Sequence, residues 1–154
     1  MFRYNCYNRD LLLILLAVFY GAFIINYFDA LIKPEPPGYP IFLIILEFFP
    51  FIPVLIEGDW KLFLSLGLIV SIVNDLLYTP VAVMYFGKEA DILRSILAQF
   101  GYIEGGSWTA NWGLFRIEVT GILMRLSLFI RVIAVVALML SRSESCKGSF
   151  KFVY

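Results

Sequence analysis

LFLSLGLIVSIVNDLLYTPVAVMYF, residues 62–86, decides what kind of protein this is. It carries one charged side chain, Asp75, in a run long enough to cross a bilayer, which takes about 17–25 residues as a helix. Three more stretches of the same character, residues 11–28, 40–56 and 114–140, fill most of the rest of the 154-residue chain. The chain is 61% hydrophobic, 18% aromatic and 16% charged, with a mean hydropathy of +0.86, whereas soluble domains sit near 45–50% apolar. The expected fold is all-α: a polytopic integral membrane four-helix bundle with kinked helices, one domain over residues 1–154, with no space for a soluble domain beside it.

Lys plus Arg balances Asp plus Glu at 12 each, so net charge points to no nucleic-acid partner. There is no histidine, which removes the commonest general base and metal ligand and every Ser-His or Cys-His arrangement. No P-loop, dinucleotide fingerprint or CxxC occurs, and no cofactor or metal site is expected. No small-x-small cleavage site follows the first span, so it does not read as a cleavable signal. The N-terminal tail, second loop and C-terminal tail hold six Lys or Arg, and the first and third loops with Arg116 hold four. The bias places both termini in the cytosol. Cys6 and Cys146 then face a reducing compartment and are not expected to pair.

Prolines shape the bundle. Residues 33–40 hold four of them and form a rigid connector. Pro50 and Pro53 should kink the second span just after Glu47, and the third meets Pro80 in its outer half. In the third loop, Ile92, Leu93, Ile96, Leu97 and Phe100 recur at helical spacing opposite Glu89, Asp91 and Arg94, which predicts a short amphipathic helix on the non-cytosolic surface. Gly105-Gly106 should end it, with Trp108 and Trp112 as interfacial anchors.

Asp29 closes the first span, while Glu47, Asp75, Glu118, Arg125 and Arg131 fall inside the others. A charge at the bilayer centre costs about 2.5–3.5 kcal/mol even on insertion scales, so these groups must face one another, a cavity or a partner. Gly67, Ser71, Asn74 and Tyr78 form one stripe of the third span, flanked by Asp75 and Thr79, a pattern suited to close packing and interhelical hydrogen bonds. Glu118, Gly121 and Arg125 share a face of the fourth. Asp75 and Arg125 each lie about fifteen residues from the cytosolic end of their spans, which predicts a structural ion pair between them, with contact to a ligand as the alternative. Arg131, nearer the cytosolic end, is expected to snorkel to the headgroups. Asp29 and Glu47, two acids without a cation of their own, could accept a cationic amine or bond a lipid hydroxyl; a Glu47 carboxyl bonded to a neighbouring backbone carbonyl is the plainer alternative.

The stretch Asn26-Tyr27-Phe28-Asp29, the loop Glu35-Pro36-Pro37-Gly38-Tyr39, and Glu47 with Pro50 and Pro53 behind it resemble the EXPERA family, which includes the emopamil-binding sterol isomerase and the sigma-2 receptor; Pro80 also matches. The resemblance covers roughly residues 10–86 and is nearer the sigma-2 branch. It implies a four-helix bundle of the endoplasmic reticulum with a lipophilic pocket open to the membrane, sterols or cationic amphiphiles as ligands, Asp29 and Glu47 as pocket acids, and homodimers. The isomerase branch uses a histidine, which this chain lacks.

Three functions follow as expectations. The first is non-catalytic binding of a sterol or other lipophilic ligand, with Asp29, Glu47 and Asp75 at the pocket and Tyr27, Phe49, Tyr78 and Phe115 as candidate walls. The second is an accessory subunit of a larger membrane complex, whose charges and small-residue stripe dock partner helices. The third is a sterol double-bond isomerase using Glu47 and Asp75.

Overall fold

The computed structural model describes residues 6–32, 36–86, 92–102 and 108–148. Residues 33–35 of the proline connector, Glu89 and Asp91, Gly105-Gly106 and residues 149–154 lie outside that set, as do the side chains of Cys6, Trp108 and Cys146. Four packed helical spans make up the molecule: Asn8–Leu31, Tyr39–Ile56, Trp60–Tyr85 and Gly121–Arg142. The third is the hub and packs on each of the other three.

Each span shows why its sequence bends or packs as it does. In the first, Tyr20–Ile25 forms a π-helical turn. The Gly21 carbonyl accepts from the Asn26 backbone N–H and from Asn26 Nδ2 at 2.8 Å, which stabilises the wider turn. Gly21 is also where the first span meets the third; a Cβ there would stand 2.8 Å from the Val70 carbonyl oxygen. The second span starts after Gly38, whose φ of 81° suits glycine. It breaks into a 3₁₀ turn at Phe49–Phe51, where Pro50 and Pro53 remove backbone donors. The expected kink behind Glu47 is therefore present. The third span starts with Asp59 Oδ1 accepting the Leu62 N–H (3.2 Å), an N-cap bond.

Ala17, Ile25, Phe51, Val54, Leu62, Leu66 and Val70 form the buried apolar core where the first three spans meet. Leu12, Ile45, Phe129 and Ile133 are among the large apolar residues facing outward, as a lipid-bathed surface requires.

The fourth span begins later than residue 114. Strands β1 (Trp108–Asn111) and β2 (Arg116–Val119) form an antiparallel hairpin, and helix begins only at Gly121. Gly113, with φ 91°, takes the first central position of the two-residue turn. The Thr120 hydroxyl accepts the Leu123 N–H (3.4 Å) and caps the helix. The amphipathic helix expected in the third loop spans Ile92–Gln99. Gly101 and Gly121 cross so closely that a Cβ on Gly121 would collide with the Gly101 backbone.

Candidate functional site

A polar network crosses the middle of the bundle. Glu47 is the ninth residue of the 18-residue second span, and Arg131 the eleventh of the 22-residue fourth. Ser71 and Asp75, one helical turn apart on the third span, stand between them. Arg131 Nη1 donates to Ser71 Oγ at 2.7 Å, and Nη2 donates to the Asp75 carboxylate. Arg131 Nε reaches the Ser127 carbonyl of its own helix (3.3 Å). The Ser71 hydroxyl in turn faces the Glu47 carboxyl. Glu47 is only 3% exposed, and Asp75, Arg131 and Asp29 all act on it electrostatically.

Gln99 ties the loop helix to this network. Its Nε2 donates to the Asp75 backbone carbonyl (2.7 Å), and its Oε1 accepts from Thr79 Oγ1 (2.8 Å). Toward the same end, Tyr39 Oη donates to Asp29 Oδ1 at 2.9 Å, which joins the first span to the start of the second. Two buried amide oxygens, Asn26 Oδ1 and Asn74 Oδ1, accept no hydrogen bond.

The Asp75–Arg125 pairing is corrected. Arg131 holds the place expected of Arg125, and the Arg125 guanidinium lies over the Tyr102 ring, 4.8 Å from its centroid. The cause is the hairpin: it takes up residues 108–119, so the fourth span's midpoint moves toward the C-terminus. Six residues of helix are about 9 Å of rise, which carries Arg125 outward and brings Arg131 to the depth of Asp75. Arg131 therefore does not snorkel. Glu118 stands exposed in β2 rather than in a helix, and Phe115, in the hairpin turn, stacks on Trp112 (6.1 Å, 16°) instead of lining the bundle. Phe49 is 64% exposed. Tyr27 packs edge-on against Tyr85 at 5.3 Å, and Tyr78 is half-buried on the third span.

A second polar cluster closes the opposite end. Arg142, 7% exposed, donates through Nε to both Asp59 oxygens (3.1 and 2.8 Å) and through its terminal nitrogens to Asp10. Arg9 bridges Glu57 (2.9 Å) and Asp59 (3.3 Å). The start of the first span, the turn between the second and third, and the end of the fourth are thereby locked together. The sequence signal for this was the acid pair Glu57 and Asp59 in one turn, with Arg9 and Arg142 at the ends of the first and fourth spans. Among the described residues no group of three or more His, Cys, Asp or Glu could hold a metal ion.

No protein-family pattern, curated protein or solved structure matches the chain.

Proposed function

We propose that the chain binds a membrane-borne amphiphile whose polar head donates hydrogen bonds, an ammonium or a sterol-like hydroxyl, beside Glu47, and that it does so without catalysis. The observation that carries this reading is an excess of acceptors inside the spans. Glu47 and Asp75 share one mid-membrane guanidinium, Arg131, which already serves Asp75 and Ser71. Asn26 Oδ1 and Asn74 Oδ1 add two buried acceptors without donors. Unanswered acceptors in a low-dielectric interior are costly, and a donor-bearing head reaching them from the bilayer relieves that cost. On this reading the resemblance to the EXPERA family extends to ligand class, with Asp29 and Glu47 as the matching acids and the endoplasmic reticulum as the compartment.

Thermal unfolding of the purified protein in mild detergent, against a panel of sterols and lipophilic amines, tests it. A ligand at a hundredfold excess over its Kd stabilises the folded state by about 2.7 kcal/mol. The expected result is a shift with at least one ligand class that Glu47→Gln removes. A well-folded sample that no ligand shifts contradicts the reading.

One observation favours the accessory-subunit alternative: of the fourth span, only Gly121, Met124 and Arg142 are buried within the chain. Co-purification of a partner subunit from native membranes in fixed ratio would support it.

A further inference from the structure

The hairpin leaves one long edge open, and its register defines what that edge can accept. The Trp112 N–H donates to the Phe115 carbonyl across the turn (3.0 Å), which makes these two a hydrogen-bonded pair. Such pairs alternate with non-hydrogen-bonded ones along an antiparallel ladder. With Asn111 opposite Arg116, Ala110 opposite Ile117 and Thr109 opposite Glu118, Ile117 turns its N–H and C=O toward β1. Arg116 and Glu118 turn theirs away. The same alternation points the Asn111 carbonyl out of the other edge, and there it accepts the Gly38 N–H at 2.9 Å. The β1 edge is thus engaged by the start of the second span, while β2 has no further strand beside it among the described residues. Arg116, Ile117 and Glu118 are all exposed.

We propose that β2 pairs with β2 of a second copy of this chain, antiparallel and centred on Ile117. In that register Arg116 stands opposite Glu118 of the partner subunit, and Glu118 opposite the partner's Arg116. The outward backbone groups of both residues then meet as hydrogen-bonded pairs, and the two Ile117 side chains meet across the two-fold axis in the closer, non-hydrogen-bonded geometry. Charge selects this register. A slip that preserves hydrogen-bonding parity moves the centre to Arg116 or to Glu118 and sets like charges against each other, which is unfavourable. The edge is therefore self-complementary in backbone, apolar contact and charge, whereas an unpaired exposed edge is a liability that proteins otherwise blunt.

Disulfide trapping in reconstituted vesicles tests it, in a C6S/C146S background. I117C should form a linked dimer on mild oxidation at least roughly tenfold more efficiently than L114C, which is 97% exposed but lies away from the axis. R116E or E118R alone should each lower I117C cross-linking roughly fivefold. The R116E/E118R double swap, which restores opposite charges across the axis, should recover it. Equal cross-linking of I117C and L114C, or a double swap that stays as low as the single variants, overturns the proposal.

Discussion

Arg131 directs donor nitrogens from the middle of the fourth span to three partners: Ser127 on its own helix, and Ser71 and Asp75 on the third. Removing one member of such a pair leaves the other charged and unanswered in a low-dielectric interior, at a cost of about 3–5 kcal/mol. Arg131→Met should therefore strongly lower the unfolding midpoint in mild detergent. Arg125→Ala, which removes only a stacking contact with Tyr102, should cost about 0.5–1 kcal/mol. Equal effects from the two would contradict the assignment of Arg131 as Asp75's partner. That Asp75 needs a cation was legible in the sequence, because a lone carboxylate at that depth is expensive. Which arginine supplies it was not: depth follows from where a helix begins, and hydrophobicity alone does not distinguish the apolar residues of β2 from the first turns of a span.

The spans themselves could be read from sequence because lipid imposes a length and a polarity on them. So could the kink at Pro50 and Pro53, since proline lacks the donor the ladder needs. The hairpin at residues 108–119 escaped because its apolar members, Leu114, Phe115 and Ile117, run straight into the fourth span. Of its own signals, Gly113, a turn residue, only borders that apolar run, and Thr120, a cap, lies inside it. The π-helical turn at Tyr20–Ile25 likewise leaves no mark on the apolar pattern; it lies where Gly21 approaches Val70. Close packing between the second and third spans depends on Gly67, where any Cβ would overlap the Phe48 ring. Gly67→Ala should destabilise the bundle by about 1–3 kcal/mol. Adding Phe48→Leu should recover part of that loss, measured by the same unfolding assay; no recovery would place the conflict elsewhere.

Across the whole molecule, the charged lock of Arg9, Asp10, Glu57, Asp59 and Arg142 marks one end of the bundle, and the hairpin and the Ile92–Gln99 helix mark the other. The first span thus starts, and the fourth ends, on the side of the lock. A membrane-impermeant maleimide should label Cys146 in a C6S background from one face and L114C in a C6S/C146S background from the other, and labelling of both from the same face would overturn this topology. Between the two ends sits the acceptor-rich network around Glu47, where a lipophilic donor is proposed to bind. The most direct test is photolabelling of the reconstituted protein with a diazirine-bearing lipophilic amine, followed by mapping of the adducts. Adducts should concentrate on the middle of the second and third spans near Glu47 and Ser71, be competed by excess unlabelled amine and be lost in Glu47→Gln. Adducts spread over outward-facing residues such as Leu12, Phe129 and Ile133, unchanged by competitor or by Glu47→Gln, would contradict it.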